Sequence, residues 1–269
     1  MSVHFDLADW PGEPAAVVVA LRADGPEKLA QWGPLDQPRE WASVSKLAVA
    51  YAAACAVSRG DIRLSVAAGP PGSSLEHLLA HASGLGLEES SATSPVGSRR
   101  VYSNVGIDIA AATCAGTEAV GEWLNEGVFA PLAMAASLRG RASSGVVGSV
   151  DDLVLLGLAW LRATGLTPSV HQGFTTPAFA SLDGVVPGWG RWSPCEWGLG
   201  PEIKGSKTHW MGTLASPLSY GHFGMSGALL LIDPLRSVLV AATSTVDFGP
   251  WARKLWSQWI DQAIVLADA

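Results

Sequence analysis

Charged side chains and cysteines are both scarce in this sequence. Only 15% of its 269 residues are Asp, Glu, Lys or Arg, whereas 48% are hydrophobic. This composition excludes a disordered chain and predicts a globular protein with a sizeable core. The three cysteines, Cys55, Cys114 and Cys195, lack the spacing of a metal site. Their odd number argues against a complete disulfide framework and is typical of a reducing compartment, so we expect a cytoplasmic protein.

Basic clusters and long apolar runs are also missing. The formal net charge is −7, and no cationic segment is longer than the pair Arg99 and Arg100, so we expect no nucleic-acid partner. Glycine or charged residues interrupt each apolar run before it reaches the length of a membrane span, so we expect no membrane partner. Residues 1–7 contain no basic region followed by an apolar run, and we therefore predict no signal peptide. No pattern in the sequence predicts an oligomeric state.

Strand-like segments lie at both ends of the chain, and helical segments fill its middle. A chain of this length forms one large domain or two interleaved ones. We predict an α+β fold in which the N- and C-terminal segments form one antiparallel sheet flanked by helices, with a mostly helical inserted region. The predicted sheet subdomain comprises residues 1–60 and 195–269, and the predicted helical subdomain comprises residues 61–194.

Local patterns assign the individual elements. Apolar and β-branched runs bounded by turn residues predict strands, whereas apolar residues at helical spacing after a capping residue predict helices. Gly60 is placed to end the helix that begins at Ser43. The predicted strands and extended pieces cover residues 15–22, 27–32, 61–64, 196–203, 228–232 and 237–242. The predicted helices cover residues 43–59, 74–82, 107–114, 117–128, 149–163 and 250–266.

Ser43 and Lys46 lie three residues apart at the start of a strongly apolar helix. This spacing places the hydroxyl and the amine on one helix face, about one turn apart. A serine nucleophile needs a neighbouring base and donors for developing negative charge, and free N–H groups at a helix N-terminus supply such donors. In the alternative interpretation Ser43 is an ordinary helix cap and Lys46 reaches solvent. The S-x-x-K pattern arises readily by chance, but a lysine on an apolar helix face usually has a function or a partner.

Two further segments carry polar groups suited to the same chemistry. Tyr102 and Asn104 form a Y-x-N pattern, which chance produces rarely because the chain has only three Tyr and two Asn. His222 is flanked by glycines and precedes a strong C-terminal strand. The alternatives are that Tyr102 only packs in the core and that His222 is a structural histidine at a strand edge.

In their order and flanks, the three motifs resemble the serine β-lactamase and penicillin-binding-protein superfamily. The likeness is to the branch with a tyrosine motif, which includes AmpC-type lactamases, D-alanyl-D-alanine peptidases and related esterases. It covers roughly residues 38 to 245. The flanking segments that agree are residues 79–85, 148–153, 197–200, 221–224 and 232–234.

The resemblance implies a role for each motif residue. Ser43 would form the acyl-enzyme, and either Lys46 or Tyr102 would take its proton. Asn104 would hold Lys46 and the substrate, while His222 would face the Tyr102 oxygen or the substrate. The implied oxyanion and substrate-binding groups are the backbone N–H groups of Ser43 and Met225, together with the adjacent Gly224.

The third motif departs from the pattern of family members that act on β-lactams. These commonly have Lys-Thr-Gly or Lys-Ser-Gly where this chain has His222, Phe223 and Gly224. Phe223 has no hydroxyl and His222 is a weaker cation than lysine, so the binding of a substrate carboxylate is weakened. The sequence therefore favours a serine acyl hydrolase that acts on an ester or small amide, with a small-molecule acyl substrate as its partner.

Other functions remain open at this point. A β-lactamase, or a D-alanyl-D-alanine carboxypeptidase of the penicillin-binding type, would use the same residues. A non-catalytic binding or regulatory protein of the same fold is the alternative from another class. In each case the sequence implies no metal and no organic cofactor. We expect His81 to be structural, and we expect residues 204–208, which include Lys207, to form a surface loop.

Overall fold

A six-stranded antiparallel sheet formed by both ends of the chain lies at the centre of the protein. The computed structural model describes residues 7–88 and 92–269. Residues 1–6, which contain most of the segment on which the signal-peptide prediction rests, lie outside the described residues. The strands, numbered in chain order, are β1 (Ala15–Arg22), β2 (Gly25–Trp32), β3 (Arg39–Glu40), β4 (Ser137–Leu138), β5 (Val146–Gly148), β6 (Gly184–Val186), β7 (Gly190–Trp192), β8 (Glu202–Ile203), β9 (Tyr220–Phe223), β10 (Leu229–Asp233) and β11 (Val238–Thr243).

The strand order confirms the predicted fold class. The central sheet runs β2-β1-β11-β10-β9-β8, and each neighbouring pair is antiparallel. Pairing of β1 with β11, for example Val18 with Val240, joins the two ends of the chain. The smaller sheets are β3-β5-β4 and β6-β7.

Helices cover both faces of the central sheet. They are α1 (Ser45–Arg59), α2 (Leu75–Leu79), α3 (Asn104–Ala115), α4 (Val120–Leu124), α5 (Val150–Leu161), α6 (Pro168–Thr175) and α7 (Pro250–Asp268). A 3-10 helix, Ala42–Val44, precedes α1, and a π-helical turn, Asn125–Phe129, follows α4. Within the described ranges, no helix is both long and apolar enough to cross a membrane.

β1 shows why the sheet is buried on both faces. Ala15, Val17 and Val19 belong to one hydrophobic core, and Ala16 and Val18 belong to the other. This is the two-residue alternation of a strand, and because both sides are covered the strand is a continuous apolar run. The first core contains residues of α1, α3 and α5, and the second contains residues of α7.

α1 is the central helix of the first core, as its apolar sequence predicts. Its residues from Ser45 to Ala56 are buried, and Gly60 ends it in the left-handed conformation at φ 82°. The predicted helix is therefore confirmed, except that Ser43 lies in the preceding 3-10 helix.

Of two predicted extended segments, one is wrong and the other holds a short strand, as expected. Residues 61–64 form turns, because Ile62 and Leu64 reach the core from a turn instead of alternating along a strand. Within residues 196–203 only Glu202–Ile203 pairs as a strand, at the edge of the central sheet.

The surface loop expected at residues 204–208 is wrong, because Lys207 is fully buried. Its amine donates to the carbonyl oxygen of Glu196 at 2.8 Å and to that of Ile203, and it lies 3.5 Å from the Glu202 carboxylate. A buried charge is tolerated when it is paired and hydrogen-bonded in this way. These partners meet Lys207 only in the folded chain, so the local pattern does not reveal them.

α5 belongs to the segment predicted as helical, yet it packs on β1, β10 and β11 of the central sheet. A buried capping box starts this helix: the Ser149 hydroxyl accepts from the Asp152 N–H, and the Asp152 carboxylate accepts from the Ser149 N–H. The division of the chain into two subdomains stays a prediction.

Candidate active site

Ser43 is presented by a tight turn at the N-terminus of α1. Ala42, the residue before it, has a left-handed backbone at φ 44°, which is uncommon for a residue with a side chain. Trp41 is fully buried and donates from Nε1 to the Gly148 carbonyl oxygen at 3.0 Å. Val44, not Ser43, occupies the N-cap position of α1 and provides no side-chain cap. The interpretation of Ser43 as an ordinary cap is therefore wrong.

Lys46 is fully buried directly beside Ser43. Its Nζ lies 3.1 Å from Ser43 Oγ, 2.7 Å from Asn104 Oδ1 and 2.9 Å from the Ser143 carbonyl oxygen. Burial lowers the pKa of Lys46 to about 7, although two nearby carboxylates oppose this shift. The alternative in which Lys46 reaches solvent is wrong.

Tyr102 packs with its side-chain ring against Lys46 and its hydroxyl towards His222. Lys46 Nζ lies 4.9 Å from the ring centroid, and Tyr102 Oη lies 3.3 Å from His222 Nε2. Burial raises the pKa of Tyr102, and a hydrogen bond with Ser43 partly offsets that shift. The phenol is therefore neutral at neutral pH and can donate a hydrogen bond.

His222 is a neutral acceptor and not a cation. Its Nδ1 lies 2.7 Å from the Phe223 carbonyl oxygen, which can only accept, so the proton of the neutral imidazole is on Nδ1. The bare Nε2 then accepts from the Tyr102 hydroxyl. Burial, with a smaller contribution from Lys46, lowers the pKa of His222 to about 3. At neutral pH this position therefore offers no positive charge to a substrate carboxylate.

Gly224 allows the end of β9 to approach the turn that presents Ser43. A Cβ atom on Gly224 would lie 2.2 Å from the Trp41 carbonyl oxygen, so no larger residue fits without a backbone shift. The Gly224 N–H donates to the Ala228 carbonyl oxygen and is already used. In the part of the chain that the structure describes, no carbonyl accepts from the N–H groups of Ser43 and Met225. The oxyanion role that the resemblance implies for these two groups stays a prediction.

The cavity beside Ser43 has a volume of about 290 Å³ and mostly apolar walls. None of its lining side chains carries a charge at neutral pH, since Tyr102 and His222 are both neutral. Met225 lies more than half exposed at this cavity. The lining residues are Ser43, Leu87, Tyr102, Asn104, Val186, Pro187, Trp197, His222, Phe223 and Met225.

The side-chain rings of His81 and Trp197 pack against the ring of Tyr102. The imidazole of His81 lies 4.6 Å from the Tyr102 ring, and its Nδ1 accepts from the Ser103 N–H at 3.2 Å. Trp197 contacts both Tyr102 and His222, with ring centroids 5.8 Å apart in each case. His81 thus fixes the start of α3, in line with the structural role predicted for it.

The sequence patterns do not predict four further residues near Lys46, which are Glu88, Asp108, Arg141 and Ser143. Asn104 donates to Glu88 at 2.5 Å, and Arg141 joins Glu88 to Asp108. Asp108 also accepts from the Ser143 N–H at 2.8 Å. These residues lie in separate segments and form no compact motif, so no local signal identifies them. Across the described ranges, no cluster of three or more His, Cys, Asp or Glu side chains could hold a metal ion.

Comparison with known proteins matches the chain to one family over nearly its whole length. The model of the Beta-lactamase family matches residues 13–263. A β-lactamase from Mycobacterium bovis is 36% identical, with 97% of each chain covered and a TM-score of 0.92. A search of curated proteins gave no match.

More distant structures share the fold. Simvastatin synthase from Aspergillus terreus is 16% identical over 95% of this chain and 94% of its own, with a TM-score of 0.70. EstCE1, described as a hydrolase with promiscuous acyltransferase activity, is 15% identical over 93% of each chain, with a TM-score of 0.69. At these identities the likeness shows the fold alone. The full-length family match and the relative at 36% identity together show that this chain belongs to the β-lactamase family of serine hydrolases.

Proposed function

We propose that this protein is a serine acyl hydrolase that cleaves an uncharged ester or small amide through an acyl-enzyme on Ser43. Lys46 is the base, and Tyr102 and His222 complete the proton-transfer groups. The substrate is a small molecule, and no cofactor takes part in the proposed reaction. A cytoplasmic location stays a prediction.

The hydrogen bonds of Lys46 carry the proposal. Asn104 Oδ1 and the Ser143 carbonyl oxygen can only accept, so they take two N–H donors of the amine at 2.7 and 2.9 Å. When the amine is neutral, its lone pair is left facing the Ser43 hydroxyl at 3.1 Å. A pKa of about 7 makes a substantial fraction of Lys46 neutral at neutral pH. This geometry supports Lys46 as the base, while the raised pKa of Tyr102 opposes a tyrosinate.

The proposed reaction proceeds in two half-reactions. The proton of Ser43 passes to Lys46 as Oγ forms a bond to the substrate carbonyl carbon. The N–H groups of Ser43 and Met225 stabilise the resulting oxyanion. Collapse breaks the bond to the leaving group, which receives a proton from Lys46, and the neutral Tyr102 hydroxyl is the second donor nearby. Water then attacks the acyl-enzyme with Lys46 as base. The bond between the acyl carbon and Ser43 Oγ breaks, Ser43 takes the proton back from Lys46, and the acid is released.

The apolar walls of the cavity favour a substrate with an uncharged acyl group. Leu87, Val186 and Trp197 are apolar, and the neutral His222 replaces the lysine with which related enzymes bind a carboxylate. Phe223 has no hydroxyl that could assist such binding. An ester with an apolar acyl chain matches these walls better than a penicillin, whose carboxylate would enter the cavity without a cation.

Intact-mass spectrometry with three reagents tests the proposal. We expect a fluorophosphonate to add to the wild-type protein, and we expect a p-nitrophenyl ester to be turned over with release of nitrophenol. Ser43→Ala should lose both reactions while its thermal unfolding stays unchanged. A stable penicillin adduct on Ser43 would instead indicate a penicillin-binding function. A folded protein that reacts with none of the reagents would favour the non-catalytic alternative.

A further inference from the structure

Six groups form a closed hydrogen-bonded network around the amine of Lys46. We call it the Lys46 network, and its members are Lys46, Asn104, Glu88, Arg141, Asp108 and Ser143. The proposed function uses Lys46, Asn104 and the Ser143 carbonyl oxygen, so the other three groups, Glu88, Asp108 and Arg141, need a separate explanation.

One half of the network orients the Asn104 amide. Lys46 donates to Asn104 Oδ1 at 2.7 Å, and Asn104 Nδ2 donates to Glu88 Oε1 at 2.5 Å. A carboxylate only accepts, so Glu88 selects the amide nitrogen and leaves the amide oxygen for Lys46. Arg141 then binds the second oxygen of Glu88.

The other half holds the backbone at Ser143. Arg141 Nε donates to Asp108 Oδ2 at 2.6 Å, and Asp108 Oδ1 accepts from the Ser143 N–H at 2.8 Å. The Ser143 carbonyl oxygen accepts from Lys46 at 2.9 Å, which closes the network. Asp108 lies one helical turn after Asn104 on α3, so this single helix contributes to both halves.

The network joins residues from four separate segments of the chain. Lys46 lies on α1, and Asn104 and Asp108 lie on α3. Arg141 and Ser143 lie between β4 and β5, and Glu88 lies between α2 and α3. Positioning a catalytic group to within a fraction of an ångström requires such supporting contacts from several elements.

The charges of the network act on the protonation of Lys46. Glu88 and Asp108 are anionic and Arg141 is cationic, so the three together carry one net negative charge. The two carboxylates favour the ammonium form of Lys46, whereas Arg141 and burial oppose it. The other titratable side chains that face Lys46 are uncharged near neutral pH: they are Tyr102, His81 and His222.

We propose that Glu88, Asp108 and Arg141 are positioning residues that orient Asn104 and Lys46 and set the pH above which Lys46 acts as base. This inference rests on the proposed function. It requires the three residues to act through Lys46, without contact to the reacting atoms.

The pH dependence of kcat/KM for a p-nitrophenyl ester tests this role. Asp108→Asn and Glu88→Gln keep an acceptor oxygen and remove one negative charge. We expect both to move the acidic limb of the profile to lower pH, by about half a unit. Arg141→Gln removes the positive charge and should move the limb to higher pH by a similar amount. Because the charges lie near the surface, about 1 M salt should reduce each shift.

An ion pair at the β1–β2 hairpin provides the matched control. Arg22 and Glu27 are 43% and 57% exposed, close to the 47% and 52% of Arg141 and Glu88. Arg22→Gln and Glu27→Gln should therefore leave the profile unchanged. Thermal unfolding of all variants confirms that each is folded.

The outcomes separate the two proposals. Suppose that the wild-type protein is active, but the acidic limbs of the three network variants move in one common direction or do not move. This result would overturn the positioning role alone. A wild-type protein that forms no acyl-enzyme overturns the proposed function, and this inference with it. Opposite shifts for Asp108→Asn and Arg141→Gln support the inference, since general loosening of the site would not reverse sign.

Discussion

At the residue scale, burial shifts the pKa values of the groups around Ser43 in different directions. It lowers the pKa values of His81 and His222, and it raises that of Tyr102. Lys46 is left as the member of this set that changes charge near pH 7. At neutral pH the base form of Lys46 is therefore available at little free-energy cost, whereas deprotonating Tyr102 to a tyrosinate would cost much more.

Tyr102→Phe tests the role of the phenol hydroxyl. The change removes the oxygen that contacts His222 at 3.3 Å and keeps the side-chain ring against His81. We expect ester turnover to fall on the order of 10²-fold, because a proton donor next to the leaving group is lost. Stopped-flow measurement of nitrophenol release gives the rate, and an unchanged rate would remove Tyr102 from the mechanism.

Tyr220→Phe is the matched control for that variant. Tyr220 is buried in the first core, and its hydroxyl has no hydrogen-bond partner among the described residues. Loss of this hydroxyl should leave turnover unchanged and should not reduce stability, because no hydrogen bond is broken.

At the scale of elements, the site depends on how closely β9 approaches the turn before α1. Gly224 makes this approach possible, since its hydrogen atom faces the Trp41 carbonyl oxygen. The close approach places Met225 and Ser43 at the same cavity. The strand end and the helix start thus form the proposed oxyanion site together.

Gly224→Ala should therefore impair catalysis more than folding. The new Cβ would meet the Trp41 carbonyl oxygen at 2.2 Å and force the two elements apart. We expect kcat/KM for the ester to fall by about 10²-fold, the order of effect of one lost oxyanion donor. The same substitution at Gly173, where nothing lies within 4 Å of the added atom, should leave kcat/KM unchanged. Equal activity of the two variants would show that this close approach is not needed.

The elements that could be predicted from sequence are those with a strong local pattern. β1 and α1 are long apolar segments ended by turn residues, and both occur as predicted. The extended piece expected at residues 61–64 is a turn, because two apolar residues can reach a core without forming a strand. Lys207 was misplaced on the surface because its burial depends on Glu202 and on carbonyl groups brought to it by the fold.

At the scale of the whole molecule, the site lies where three distant parts of the chain meet. Short motifs predict Ser43, Tyr102 and His222 because their spacing and flanks are recognisable in sequence. Asp108 and Arg141 could not be predicted, since they approach each other only after α3 and the β4–β5 hairpin have folded together. Sequence reasoning thus finds the groups proposed for the chemistry, and the structure is needed to find the groups that hold them.

The assembled site also makes the stability of the whole protein depend on pH. His81 and His222 are held neutral in the folded protein, whereas in the unfolded chain a histidine has a pKa of about 6.5. Below that value the unfolded chain binds protons that the folded protein excludes, so the free energy of unfolding decreases as the pH falls. Each imidazole contributes about 1.4 kcal/mol per pH unit to this decrease, and for His222 the effect ends near its folded pKa of about 3.

Urea unfolding at pH 7 and pH 5 measures this dependence. We expect the wild-type protein to be less stable at pH 5, and His222→Gln, which cannot titrate, to show a smaller difference between the two pH values. Ser43→Ala removes no titrating group and should keep the full difference. A free energy of unfolding that is equal at the two pH values would contradict neutral burial of these histidines. It would also remove the physical basis for assigning the acidic limb of the activity profile to Lys46, because a charged His222 beside Tyr102 would then titrate in the same range.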